Sequence, residues 1–197
     1  MSKVEMVKTT NCLNGITMQH GWWSGANDSN SQSNHSKIDQ CRVYNKNGSN
    51  IGIRVLRSNG VVVENCISEG WASNYSLYYD GSNAHCKHFM VRNFHLEHAP
   101  VQGGIFIRAQ AGSQNIIEQP MIHDGGSYPI VVDDNGPVEI RNVGWWPSGR
   151  KIKAIERAPR IDIVRSIYTL NVHDVYHPEN PSNLFKGYIR VIDGKPA

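Results

Sequence analysis

Asp80, Arg108 and Asp133 stand 28 and 25 residues apart, and Asp134 follows the last of them. If the chain brings these positions onto one face, two carboxylates flank a guanidinium. Carboxylates roughly 9–10 Å apart can act as general acid and general base on either side of an acetal with water between them, at the upper edge of the separation that inversion at a sugar carbon requires. The same three residues can equally form an acid–base–acid salt-bridge ladder with no chemistry. Glu69 and Glu97, again 28 apart and in one column by spacing with Tyr44, His123 and Trp146, are a second candidate. At about 5 Å their like charges would keep a proton on one of them, unless both fan into solvent.

Aromatic residues accompany the acids. Tyr78 and Phe106 each lie two residues before a member of the charged triplet, so in a strand they share its face. They would form either an exposed aromatic platform or an ordinary cross-strand pair. Trp22 and Trp23 open the polar stretch GWWSGANDSNSQSNHS and offer a second platform, or a cover over one end of the fold. No metal or cofactor is expected. His95 and His98 are three apart and point to opposite faces of a strand, His85 and His88 lie in a turn, and DDNG at 133–136 lacks the later acid of a calcium loop.

All these chemistries need elements that stack residues about 25 positions apart, and the sequence contains such a repeat. An apolar residue, a charged residue and Asn or Gln recur as Ile38-Asp39-Gln40, Val63-Glu64-Asn65, Val91-Arg92-Asn93, Ile117-Glu118-Gln119 and Ile140-Arg141-Asn142, with intervals of 25, 28, 26 and 23. A second run interleaves with it: GITM at 15, GIRV at 52, SLYY at 76, GIFI at 104 and PIVV at 129. Its first interval is longer by about a dozen residues, which places an insertion at 21–36. Two strand signals per period, Gly/Asn/Ser turns and no helical periodicity predict a parallel β-helix of about five coils rather than an antiparallel sandwich. The Asn/Gln column then marks a left-handed corner whose amides bond from coil to coil, with the charged residue before it facing solvent.

The coils are expected over 1–144. Residues 145–197 lose the repeat and read as a β segment that caps the helix or joins it to other copies. Usage is ordinary for a globular chain, with 39% apolar residues, 19% charged residues and a net charge of +3 over 197 positions. No Lys/Arg cluster suits nucleic acid, no apolar run approaches the ~18 residues of a membrane span, and MSKVEMVKTT has no apolar core of a signal peptide. Cys12, Cys41, Cys66 and Cys86 are expected to be free thiols, mostly buried.

On its coil length and Asn corners, residues 15 to about 145 resemble the right-handed parallel β-helix, or pectin-lyase-like, superfamily, and within it bacteriophage tailspikes that bind or cleave bacterial surface polysaccharide. The resemblance implies a sugar groove on the face bearing Tyr78, Asp80, Phe106, Arg108, Asp133 and Asp134, with Glu97, His98 and His123 nearby. It also implies a homotrimer on a phage virion, with the last fifty residues in the place of a trimerisation element. Of the polygalacturonase motifs only Asp133-Asp134 is present. The reading is therefore a capsule or lipopolysaccharide hydrolase using Asp80 and Asp133, with a non-catalytic receptor-binding module and a uronic-acid lyase as alternatives.

Overall fold

The computed structural model describes residues 3–19, 33–56, 58–81, 88–97, 103–108, 114–124, 126, 128–133, 138–147, 150, 152–154, 161–164, 175–176 and 189–192. Among them there is no helix. One sheet is built from β1 (Lys3–Glu5), β5 (Lys37–Asp39), β8 (Val61–Glu64), β10 (His88–Arg92), β13 (Gln114–Glu118), β16 (Val138–Arg141), β18 (Ile161–Val164) and β20 (Ile189–Ile192). They pair in that order and in parallel. Parallel neighbours need a long return path between them, and here the path is itself strand.

Two long strands, β6 (Arg42–Leu56) and β9 (Ile67–Asp80), carry the chain through the rest of a coil. Their first halves pair with β2 (Lys8–Thr10) and β11 (His95–Glu97), the latter followed by β14 (Met121–Ile122). Their second halves lie between β3 (Asn14–Gln19) and the series β12 (Gly103–Arg108), β15 (Ile130–Asp133), β17 (Ile152–Ala154) and β19 (Val175–Tyr176). Ile16 pairs with Ile53 across the longer first interval, as an insertion requires. Its end adds a small ladder, β4 (Ser33–Asn34) on β7 (Ser58–Asn59). The architecture is an all-β parallel solenoid.

The interior is a set of aliphatic columns. Ile38, Val63, Val91, Ile117 and Ile140 are register partners on successive strands, and none has any exposed surface. Ile53, Leu77, Ile105, Ile130 and Ile152 form a second such column. Between the sheets Tyr79 stacks flat on Phe89 with centroids 3.9 Å apart. Burying each of these side chains contributes about 1.5–3 kcal/mol, and none of it is available to a rung alone.

The corners fall where the polar interruption is. Gln40, Asn65, Asn93, Gln119 and Asn142 have φ of 52°, 53°, 53°, 51° and 49°. The Asn93 side-chain amide donates to Asn65 Oδ1 at 3.1 Å, and Asn65 donates in turn to Asp39 Oδ1 at 3.1 Å. Backbone N–H groups at the corners donate to the next coil: Asn65 N to Arg92 O at 3.1 Å, and Asn93 N to Glu118 O at 3.0 Å. At these corners the bend thus satisfies the backbone donor it frees from the ladder.

Three expectations need correction. Asp39 does not face solvent: it is buried, held by Lys37 at 3.0 Å and by the Asn65 amide. The rest of its column is an ion-pair ladder in which Lys37 also pairs with Glu64, and Arg92 spans Glu64 at 3.6 Å and Glu118 at 2.9 Å. The coil number also differs from five. From β8 to β16 the first sheet makes about three turns, but the ladder extends beyond both ends of the Asn column. Met6 takes a corner with φ 54° without any Asn signature, and β17–β20 continue the ladders beyond Asn142, the last such corner among the described residues. The third is a slip of register, since counting two residues past the corners at Gln119 and Asn142 sets Gly144 beside Met121. Trp145, not Gly144, pairs with Met121, because Gly144 N and Trp145 N both donate to Pro120 O and one residue bulges out.

Candidate functional site

The charged triplet meets as expected. Arg108 on β12 is in register with Asp80 on β9 and with Asp133 on β15. Its Nε donates to Asp133 Oδ2 at 2.9 Å, and its Nη1 lies 3.5 Å from Asp80 Oδ2. Burial would pull the guanidinium down, but the hydrogen bond to Asp133 and the charge of Asp80 outweigh it and hold Arg108 above its usual range. Two carboxylates on one guanidinium make the ladder arrangement. For acid–base work at an intervening sugar, Arg108 would have to swing aside.

The aromatic neighbours are less open than a platform requires. Tyr78 and Phe106 stack almost parallel, 5° apart with centroids at 4.7 Å. Phe106 is only 4% exposed, which fits the cross-strand pair and not the open platform. It points away from the coil interior, but Tyr75 lies 4.9 Å from its centroid and Arg108 lies 5.8 Å over its ring. Val131, next in the column, is buried too. The rings left half-buried on this face are Tyr75 and Tyr78. Burial pushes both phenols above their usual range, aided at Tyr78 by the charge of Asp80. They stay neutral hydrogen-bonding groups.

Sequence reasoning missed Tyr75 because it lies one residue before the SLYY run. A closer reading of the wide rung between Gly70 and Ser76 could have found it. Lys153 sits 5.2 Å over the ring of Tyr128 along the same sheet. The face is thus a short aromatic strip beside a charge ladder.

The second cluster also forms, with different members. Glu69 and Glu97 are register partners on β9 and β11. Glu97 Oε1 lies 3.1 Å from Nε2 of His95, a residue that the column comparison did not include. His123 follows β14 one rung on; its ring centroid is 5.0 Å from that of His95 and 5.2 Å from that of Trp145, on which it stacks. Trp146, grouped with this column by spacing, instead turns inward, is 9% exposed, and donates its indole N–H to Arg150 O at 3.1 Å. The bulge at Gly144 exchanges the two tryptophans. His95, Glu97 and His123 can each present one ligand atom, all within 4.8 Å of one another. They are the described residues able to hold a metal ion together.

Trp22, Trp23, His98 and Asp134 lie outside the described residues, as do His85 and Cys86. Cys12 is an exposed free thiol, and Cys41 and Cys66 are buried ones. Burial pushes the Cys66 thiol up to about 12, which leaves it unreactive as a nucleophile.

Comparison with known proteins finds no matching family model, no matching curated protein and no matching solved structure.

Proposed function

We propose that this chain is the glycan-binding β-solenoid of a tailspike-like protein, taking bacterial capsule or lipopolysaccharide along the outer face that bears Tyr75, Tyr78, Asp80, Arg108 and Asp133. One observation carries the reading: half-buried neutral tyrosines adjoin a ladder of alternating charge on a single parallel sheet. Tyrosine rings pack against the C–H faces of sugars, while carboxylate and guanidinium groups take hydroxyls and acidic substituents. Side chains repeating every ~4.8 Å suit a polymer that also repeats. In this reading the chain acts on a phage virion as one of three copies, and residues 145–197 lie where such copies would be joined.

The test is binding to a panel of purified capsular and lipopolysaccharide glycans. Binding to at least one is expected, weakened about fivefold or more by Tyr78→Ala, taking as the scale the ~1–3 kcal/mol that a planar base stacked on an aromatic side chain is worth. Binding to none, or binding that Tyr78→Ala leaves intact, rejects the proposal.

A second reading, hydrolysis with Asp80 and Asp133 as acid and base, is favoured by their placement two strands apart across Arg108. Release of reducing ends from the bound glycan, abolished by Asp80→Asn and by Asp133→Asn, supports it. Unchanged release in both variants excludes that pair and returns attention to Glu97. Unsaturated products absorbing in the ultraviolet would identify a lyase instead.

A further inference from the structure

His95 and Glu97 flank the buried Leu96 on β11, so both side chains leave the coil on the same side. His123 arrives from the next rung, and its backbone N–H donates to Leu96 O at 3.0 Å. That bond sets the second imidazole beside the end of β11. Trp145, from the rung after that, stacks on the His123 ring at 18° and restrains it. Three rungs thus fix two imidazoles and a carboxylate before any ligand is present.

The electrostatics of the group call for a cation. Nε2 of His95 is shielded from solvent and has no hydrogen-bond partner, although it lies 3.1 Å from Glu97 Oε1. The contact is close enough for a hydrogen bond, but the ring is not aligned to make one. The ring edge of His95 thus sits beside a carboxylate with its nitrogen unsatisfied, an arrangement that a cation shared by the two groups would complete. Glu69, in register with Glu97, adds a second carboxylate to the neighbourhood.

The donor set selects the ion. Two imidazoles and one carboxylate form a borderline set that suits zinc and its first-row neighbours, whereas calcium and magnesium prefer all-oxygen shells. Ligands held tetrahedrally at ~2.0–2.2 Å from zinc are about 3.3–3.6 Å apart. The His95–Glu97 contact, at 3.1 Å, lies just below that range, and the other separations, none above 4.8 Å, would need only small rotamer changes to reach it. We propose that His95, Glu97 and His123 bind one divalent ion of the zinc class, leaving the solvent side of the ion open to water or ligand. The proposal does not depend on the glycan reading, because it uses the strand segment after the corner rather than the face of Tyr78 and Arg108.

The test uses the full chain, freed of metal with chelator and titrated with zinc chloride by calorimetry. One site is expected that the double variant His95→Ala/His123→Ala lacks and that Glu97→Gln weakens at least about tenfold, the scale seen even for groups that only support a ligand. His88→Ala, an exposed histidine on β10, should leave it unchanged, and calcium or magnesium at the same concentration should not compete. Circular dichroism checks that each variant keeps its strands. Should the double variant unfold, cobalt(II) decides on the native sequence. It should quench a component of the tryptophan emission that Trp145→Phe removes, with visible absorption of a four- or five-coordinate ion. Equal zinc isotherms for the native chain and a folded double variant, or cobalt that quenches nothing dependent on Trp145, overturns the proposal.

Discussion

Asn65 is the position at which the stacked corners can be tested most sharply. Its side chain donates to Asp39 and accepts from Asn93, each at 3.1 Å, and its φ is 53°. Asn65→Ala removes both bonds, of which the one to the carboxylate is worth about 1.5–3 kcal/mol if unscreened and the exposed amide pair about 0.5–1 kcal/mol. Alanine at this φ adds about 1 kcal/mol of strain that asparagine largely avoids. The expected loss is about 3–5 kcal/mol. Asn65→Gly loses the same bonds but not the strain, and its extra unfolded-state entropy of about 0.4–1 kcal/mol leaves it close to Ala or slightly milder. Urea unfolding of Asn65→Ala, Asn93→Ala and the double variant isolates the contact between rungs. A coupling of about 0.5 kcal/mol or more is expected, since groups in direct contact do not add. Strict additivity, within about 0.3 kcal/mol, would mean that the two amides do not meet.

Asp39 makes a pH prediction. Burial alone would raise its carboxyl, but hydrogen bonds from Lys37 and Asn65 outweigh this and hold it below the ordinary value of 3.8. A lowered folded value means that the stabilisation is complete above the unfolded value and is lost as pH falls through the folded one. Urea midpoints should therefore drop below about pH 4, and Asp39→Asn should flatten that drop while lowering stability at neutral pH; an unchanged acid slope refutes the assignment. Cys12, exposed, should react with a maleimide in the native Cys86→Ser chain, whereas Cys41 and Cys66, both buried, react only in denaturant. Native-state labelling of Cys66 would contradict its place in the core. Ile117→Ala, in the middle of a fully buried column, should cost about 2–5 kcal/mol by calorimetric or urea unfolding, and a loss under about 1 kcal/mol would deny that column.

The coil register was legible because the corner imposes a chemical demand. A residue at φ near 50° that also hydrogen-bonds its neighbour is Asn more readily than anything else, so Gln40, Asn65, Asn93, Gln119 and Asn142 announce themselves. Met6 meets the same backbone demand with a side chain that carries no such signal, and the strands after Asn142 keep pairing without it. Alternation told which side of the sheet Phe106 and Val131 leave from, but not that both would be buried there, Phe106 under Tyr75 and Arg108. His95 escaped notice for a related reason. Columns compare equivalent positions, whereas the cluster joins position i with i+2 on one strand and with a residue of the next rung. The bulge at Gly144 comes after the corner at Asn142, so no interval between corners records it, and it moved Trp145 into the place that simple counting assigned to Trp146.

The spacing of rungs along the solenoid axis is the most direct test of the whole account. Lys3, Lys37, Val62, Met90, Ile116 and Glu139 are successive register partners, so Lys3 and Glu139 are five strand steps, about 24 Å, apart. Spin labels at Lys3→Cys and Glu139→Cys, in a background with Cys12 and Cys86 replaced by serine, report that distance by pulsed electron resonance. A narrow distribution near 24 Å, shortening to about 14 Å when Met90→Cys replaces Glu139→Cys, is the predicted result. Distances that do not scale with the number of steps would contradict a parallel stack, and with it the site that the stack assembles.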